Sequence, residues 1–361
     1  MKTLNKQELY DILYGCAVLG TGGGGSLEKG LFLIDKALAA GKSFRLESLA
    51  AIPDDALMGV PYGCGATGAG EDKGPPGLTR LDEPLGVLAA RAMEAYQGKP
   101  FYALMSTELG GGNTAEALYT AAVLDRVIAD ADPAGRSVPE LQHSTFFLHG
   151  VPITPMAVAD AWGNTAIFTA AASDERAEAW ARALAVASGN SVGVLDHPAQ
   201  VKNIRGKVIE GAISYALEIG KALREAKEQG LNPVDAVTAA GGGKTIFSGV
   251  VSAFEWEFSG GFTLGTVELE GRGTHAGHTC TIWFKNEFLI SWLDGKIHAT
   301  APELICLMDR AGNSILTPFV EKGSELTVFV LPAPKAWTTP RGLEVFGPKH
   351  FGYDVPFRPL C

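Results

Sequence analysis

Glycine falls in runs along this chain, and each run marks a place where the backbone turns tightly or approaches another group closely, because glycine alone has no Cβ and enters left-handed conformations freely. The runs are Gly20-Thr21-Gly22-Gly23-Gly24-Gly25, the stretch from Gly63-Cys64-Gly65 to Gly70, Gly110-Gly111-Gly112 and Gly241-Gly242-Gly243. Glycine supplies 45 of 361 residues, well above the usual ~7%. The elements of the fold must be sought between these runs.

Asn5-Lys6-Gln7-Glu8, followed by Leu9, Ile12, Leu13, Cys16 and Ala17, predicts a capping box and a helix ending near Leu19. Ser26 is placed to cap a second helix with Leu27, Leu31, Ile34 and Leu38 on its apolar side, so the first glycine run joins two helices. Ala56 to Val60 predicts a short buried strand, followed by the glycine loop at Gly63 to Gly70 and a helix over Asp82 to Tyr96. The order then recurs: a strand at Phe101 to Met105, the loop Glu108-Leu109-Gly110-Gly111-Gly112-Asn113, and a helix over Thr114 to Leu124. Strand, glycine loop and helix twice over predict an α/β domain with a mostly parallel sheet.

Asp130 to Leu141 is rich in turn formers and charge and reads as a loop. Ser173-Asp174-Glu175-Arg176 opens a helix to about Ala187, and Asn203 to Glu228 predicts a longer one. Beyond Thr245, alternating and β-branched stretches (Thr245 to Phe254, Phe262 to Leu269, Thr279 to Phe284, Phe288 to Leu293, Leu326 to Leu331) predict an antiparallel, β-rich unit. The expected organisation is an N-terminal α/β domain over 1–170 and a C-terminal α+β domain over 171–361, helices first and strands after.

The charge balance bounds the function. A net charge of -10 without any Lys/Arg run argues against nucleic acid as a partner. Five scattered cysteines with no C-x-x-C pair read as reduced thiols, which points to the cytoplasm. No stretch approaches the ~18 apolar residues a membrane span requires, so no membrane partner is expected.

Gly20 to Gly25 has the glycine spacing of a dinucleotide fingerprint, but a helix precedes it where that fingerprint requires a strand. Two readings stand: a nest of backbone N–H groups, centred on Gly22, Gly23 and Gly24, that grips an anion or carbonyl, or a tight turn between packed helices. Gly241-Gly242-Gly243-Lys244-Thr245 imitates the end of a phosphate-binding loop, yet the required first glycine is Thr238, so neither ATP nor NAD is expected. His275 and His278 form a lone H-x-x-H, readable as half of a zinc site or as a histidine pair at a strand end. Glu108, at the end of a predicted strand and just before three glycines, sits where open α/β sheets place their ligands. Asp130, Asp132, Arg136, Glu140 and His143 form a second polar group able to supply a base, an anion clamp or metal ligands, although Asp-Ala-Asp-Pro is also ordinary turn chemistry.

Taken together, these residues resemble the S-methyl thiohydantoin desulfurase-like family, associated with hydantoinase and oxoprolinase systems. The resemblance is carried by Gly20 to Gly25 after an N-terminal helix, Glu108 to Asn113, the Asp130-x-Asp132-x-x-Gly135-Arg136-x-x-Pro139-Glu140 segment, and the tail with Pro302-Glu303-Leu304-Ile305 and Gly347-Pro348-x-x-Phe351-Gly352-Tyr353. Two places depart from the family pattern: Pro133-Ala134-Gly135-Arg136 stands where Gly-Met-Gly-Arg is common, and Gly-Cys-Gly-Ala surrounds Cys64. The resemblance implies hydrolysis of a hydantoin-like or S-methylthiohydantoin-like five-membered ring. That chemistry needs a proton acceptor, for which Glu108, Asp130 and Asp132 are candidates, and a donor, for which His143 and His275 are. N–H groups must also hold developing charge, and Gly22, Gly23, Gly24, Gly65, Gly110 and Gly111, with Asn113, Arg136 and Glu140, are the expected contacts. A divalent metal on His275 and His278 is left open. So are two other roles, a non-catalytic small-molecule sensor beside a hydantoinase-type partner and a zinc-dependent hydrolase, and a homo-oligomer is left open too.

Overall fold

The computed structural model describes residues 1–65 and 77–361; Ala66 to Gly70 of the second glycine run lie outside them. By its contacts the chain forms two compact units, each drawn from three stretches: Met1–Leu9, Gly25–Gly135 and Glu140–Ile213 in the first, and Tyr10–Gly24, Arg136–Pro139 and Ser214–Cys361 in the second.

The strands of the first unit are β1 (Lys2–Leu4), β2 (Phe44–Glu47), β3 (Leu57–Gly65), β4 (Ala103–Leu104), β5 (Val127–Ala129), β6 (Ala131–Asp132), β7 (Met156–Ala159), β8 (Thr165–Phe168), β9 (Ser191–Gln200) and β10 (Ile209–Glu210). Eight of them form one sheet in the order β1-β2-β5-β4-β3-β9-β7-β8, and β6 pairs with β10 alone. The pairings from β2 through β5 and β4 to β3 are parallel; the other four are antiparallel. The sheet is therefore mixed, not mostly parallel. The difference comes from β9, which inserts antiparallel beside β3 and brings the β7–β8 hairpin with it.

The first helix, α1 (Lys6–Leu19), begins with the expected capping box: Asn5 N–H donates to Glu8 Oε2 and Glu8 N–H to Asn5 Oδ1, each at 2.9 Å. Ser26 caps α2 (Leu27–Ala39) by accepting from the Lys29 N–H. The helices α3 (Leu85–Gln97), α4 (Asn113–Val123), α5 (Thr145–Leu148) and α6 (Asp174–Ala187) complete the unit. Backbones of α2 and of the loop before α4 meet directly: a Cβ on Gly30 would stand 2.0 Å from the Gly111 carbonyl oxygen, and one on Gly25 3.1 Å from Gly112 Cα. On the other side, Met58, Val60, Tyr62 and Cys64, alternate residues of β3, share a buried cluster with Ala177, Ala181 and Ala185 of α6.

In the second unit, β11 (Lys244–Ser259), β12 (Phe262–Gly271), β13 (Thr279–Lys285), β14 (Glu287–Leu293), β15 (Lys296–Thr300), β16 (Leu304–Asp309) and β17 (Glu325–Leu331) form a seven-stranded sheet in the order β15-β14-β13-β12-β11-β17-β16, antiparallel throughout. The unit's helices are α7 (Ala212–Glu228), α8 (Pro233–Gly241) and α9 (Pro340–Phe346). The helix expected from Asn203 starts only at Ala212, because the residues ahead of it form a short turn and β10. Residues 10–19 of α1 cross α7 at two glycines: a Cβ on Gly15 would fall 1.8 Å from the Ala216 carbonyl oxygen, and one on Gly220 1.7 Å from that of Asp11. Gly242, with φ +68, ends α8 and is followed by β11, the reverse of the strand-loop-helix order of a phosphate-binding loop.

Candidate active site

The three adjacent parallel strands β3, β4 and β5 end at Gly65, Leu104 and Ala129, and the residues just beyond those ends stand at the carboxyl edge of the sheet, where open α/β sheets bind ligands. After β4 come Ser106 and Glu108; after β5 comes β6 with Asp132. Glu108 is half-buried and its backbone is left-handed, φ +46, an uncommon conformation for a residue with a Cβ. Its Oε1 accepts from Asn113 Nδ2, at the first turn of α4. Thr114 fixes the intervening loop: its hydroxyl accepts from the Gly110 N–H at 3.2 Å and lies 3.2 Å from Ser106 Oγ.

Asp132 is fully buried. Its Oδ1 accepts from the backbone N–H groups of Ala134 at 2.7 Å and Gly135 at 2.6 Å, a turn that Gly135 closes with φ +70. Its Oδ2 is buried with no hydrogen-bond partner among the described residues. Burial pushes the Asp132 carboxyl up to about 7; the negative charge of Glu108 adds to the rise, and the two backbone N–H groups and the Ser106 hydroxyl act against it. Two carboxyl groups close enough to feel each other, one of them holding its proton near neutrality, are suited to divide the roles of acid and base.

Cys64, near the end of β3, borders the same edge. Burial pushes its thiol up to about 11, the Arg182 guanidinium opposes this, and Glu178, Glu108 and Asp196 add to it. The sulfur is thus a neutral thiol at pH 7 and a poor nucleophile. Arg182 Nε and Nη2 donate to Glu178 Oε1 at 2.8 and 2.6 Å, and Glu178 Oε2 accepts from the Leu141 N–H at 3.1 Å.

Of the residues expected from the sequence, Glu108, Asn113 and Asp132 come together in this way. Asp130 is half-buried beside them in the chain, with its N–H donated to the Glu47 carbonyl and its own carbonyl accepting from Gly211. His143 is fully buried, and its Nε2 lies 4.0 Å from Glu140 Oε2.

The remaining expected residues lie elsewhere or in other surroundings. Arg136, expected as an anion clamp, belongs to the second unit and is fully buried there. It donates to the carbonyls of Ser137, Pro302 and Glu303 and to the Thr21 hydroxyl, and lies 5.1 Å from the Phe346 ring centre. Its donors are committed to the core of that unit. At most of the glycines expected as N–H donors, a Cβ would meet a neighbouring group. A Cβ on Gly22 would be 2.7 Å from the Phe288 ring, on Gly23 1.8 Å from Glu287 Oε1, on Gly65 2.2 Å from the Asn190 carbonyl and on Gly111 2.7 Å from Leu27 Cα. Gly24 takes φ +76, and the N–H groups of Gly23 and Gly110 are already bonded to Gly20 and Thr114. His275 and His278 lie in the second unit, where His275 packs on Phe247 and the exposed His278 pairs with Asp294 at 2.7 Å. Among the described residues, neither stands in a group of three ligand atoms able to hold a metal.

Ser106, Thr114, Glu178 and Arg182 were not anticipated. The last two carry a readable signal, charges four apart on a helix whose neighbouring stripe is Ala177, Ala181 and Ala185.

Residues 7–170 match a family model described as "S-Me-THD-like, N-terminal domain", and residues 172–360 match one described as "S-Me-THD-like, C-terminal domain". No curated protein matches the chain. Among solved structures, the chain is similar to the crystal structure of a structural-genomics protein from Chromobacterium violaceum, with a TM-score of 0.78, 23% identity and 100% of both chains covered. That likeness is one of fold. Among the described residues no helix is long and apolar enough to cross a membrane.

Proposed function

The chain belongs to the S-Me-THD-like family, and we propose that it hydrolyses a hydantoin-like or S-methylthiohydantoin-like five-membered ring at the carboxyl edge of the first unit's sheet. Water adds to the ring carbon that bears sulfur, the carbon–sulfur bond breaks, and the product is a hydantoin and a thiol. One hydrogen of the water ends on the ring nitrogen and the other on the departing sulfur, so the reaction needs one proton acceptor and one donor working in turn. Glu108, half-buried and positioned by Asn113, is the acceptor for water. Asp132 is the donor.

The observation that carries this reading is Asp132 itself: a fully buried carboxyl at a strand end, held near a pKa of 7, with one oxygen fixed by two N–H groups and the other without a partner among the described residues. Most buried carboxyl oxygens are hydrogen-bonded, so the unpartnered Oδ2 is open to a proton or a ligand. A group with a pKa near the working pH is the most effective proton donor and acceptor there.

The test is release of methanethiol from S-methylthiohydantoin, followed with a thiol reagent. Wild-type protein should release it, and Glu108→Gln and Asp132→Asn should each slow it by ~10²–10⁴-fold. No release by the wild-type chain with any ring substituent, or full activity in Glu108→Gln, removes the reading.

A further inference from the structure

In the second unit, β11 is covered on both sides over only part of its length. β12 pairs with it from Gly249 to Ser259, but β17 only from Lys244 to Val250. That cover stops where the Val251 N–H donates to the Ser324 carbonyl at 3.0 Å and the Gly323 N–H to the Val251 carbonyl at 2.9 Å. From Ala253 to Ser259 no strand among the described residues pairs with β11 on the β17 side, which leaves an open edge about 23 Å long at about 3.3 Å per residue. The hairpin closes through Gly260 and Gly261, φ +60 and +87, with Ser259 opposite Phe262. A two-residue turn makes that pair a hydrogen-bonded one, and such pairs alternate along an antiparallel ladder. Phe258, Trp256 and Phe254 therefore turn their N–H and C=O groups away from β12, toward the open edge. Thr263, opposite Phe258, shows the same alternation: its N–H donates to Asn286 Oδ1 and its carbonyl accepts from the Asn286 N–H, both away from β11.

The two faces of this edge differ in chemistry. Phe254, Trp256 and Phe258 share the face on which Val267 and Leu269 enter the core, and Phe254 stacks on Phe284 with ring centres 5.9 Å apart. Trp256 and Phe258 overrun that core and are 49% and 55% exposed. Glu255 and Glu257 alternate with them on the other face, both exposed, as is Glu268 opposite Ala253 on β12. Ser324, where β17's cover ends, also borders a cavity of about 510 Å³ lined by Phe319, Asp309, Glu321 and Glu325 among others. Asp309 is engaged by Asn313, and Glu325 by Arg310 at 2.7 Å, so the cavity wall keeps an acidic excess.

A second copy of this chain fits the edge poorly. Pairing β11 with its own copy about Trp256 sets Glu255 opposite Glu257 of the copy, twice, and like charges directly opposite are destabilising. Charges spaced along an edge are a common guard against such self-pairing. The same carboxylates favour a strand of opposite sign. We propose that the open edge of β11 is a docking site for an extended segment of another protein in which apolar residues alternate with Lys or Arg. The added strand continues the row of β17. Its backbone bonds to Phe254, Trp256 and Phe258, its apolar side chains cover those aromatic rings, and its cations meet Glu255 and Glu257, with the end nearest Ser324 leading to the acid-lined cavity. Main-chain bonds then supply affinity, and the alternate side chains supply the choice of partner.

The probe is a fluorescent heptapeptide of alternating lysine and valine, blocked at both ends and titrated against the full chain by anisotropy. It should bind, more weakly as salt is raised, whereas the glutamate–valine peptide and a lysine–valine peptide methylated at alternate backbone nitrogens should not. Glu255→Lys/Glu257→Lys and, separately, Trp256→Ser should each weaken it roughly tenfold or more. These side chains are exposed, so thermal unfolding of the variants should match the wild type; the methylated peptide tests the ladder on the unaltered chain. Hydrogen exchange resolved to single amides should show the probe protecting Phe254, Trp256 and Phe258 and leaving Glu255 and Glu257, already bonded to β12, unchanged. Absence of binding, equal binding of either control peptide, or protection that spares those three amides overturns the proposal. So does a dimer in sedimentation that Trp256→Ser dissociates, since a second copy then occupies the edge.

Discussion

Replacing Asp132 by Asn should change the stability of the first unit in a way that reverses with pH. In the unfolded chain this carboxyl ionises near 3.8, and in the folded chain near 7. Below about pH 4 both states hold the proton and the group is neutral in the balance. Between those values the folded state keeps a proton that the unfolded state has lost, so wild-type stability falls as pH rises and reaches its full loss above pH 7. Each pKa unit is worth about 1.4 kcal/mol, so the whole effect is about 4 kcal/mol. Asn does not titrate and escapes it. Its Oδ1 can still accept from Ala134 and Gly135, but its amide N–H groups take the place of Oδ2, which has no partner among the described residues, at a cost of about 1–2 kcal/mol. The variant should therefore be close to wild type at pH 5 and more stable by about 2–3 kcal/mol at pH 8, while losing turnover. Urea unfolding read by hydrogen exchange at the amides of β3, β4 and β5 isolates the first unit. A stability difference that does not change between pH 5 and pH 8, or a wild type that remains the more stable at pH 8, would refute both the raised pKa and the role of proton donor built on it.

Glu108→Gly should stabilise the first unit by about 1 kcal/mol by releasing the left-handed backbone, φ +46, while turnover falls to background; thermal unfolding and methanethiol release measure the two sides. Gly220→Ala places a methyl 1.7 Å from the Asp11 carbonyl oxygen, forces α1 and α7 apart, and should destabilise the second unit by about 3 kcal/mol in denaturant unfolding. Arg136→Met leaves buried carbonyls and the Glu287 carboxylate without the guanidinium and should reduce the second unit's stability by about 3–5 kcal/mol in the same assay. Removing both imidazoles in His275→Ala/His278→Ala should leave the metal content of the purified chain, read by elemental analysis, unchanged.

What the sequence made legible was local. Asn5 and Glu8, Ser26 and Ser173 each cap a helix by bonds within a few residues of chain, and those helices form within one or two residues of expectation. The antiparallel second sheet was visible for a similar reason, since its strands mostly pair with their chain neighbours. Glu108 could be singled out because a carboxylate between a strand and a glycine loop has one place to go. The partners of the glycine runs were not legible: a run of Gly signals close approach without saying to what, and here the neighbours are backbone at Leu27 and Asn190 and side chains at Phe288 and Glu287, all distant in sequence. Arg136 was misread for the same reason, its acceptors at Pro302 and Glu303 being more than a hundred residues away.

The position of β9 has a consequence for how such a chain can be cut or recombined. The two family matches meet between residues 170 and 172, yet β9, at Ser191–Gln200, is the strand that joins β3 to β7 in the first unit's sheet. A gene fragment ending at residue 170 would encode a sheet with its middle missing and β3 left with an open edge. Such an edge invites pairing with other copies. The two halves are thus not exchangeable parts: a chimaera joined at that seam between distant relatives would have to match β9 of one parent to β3 of the other along eight paired residues, from Leu57↔Gln200 to Gly65↔Ser191. A crossover placed after Ile213 would carry that ladder intact.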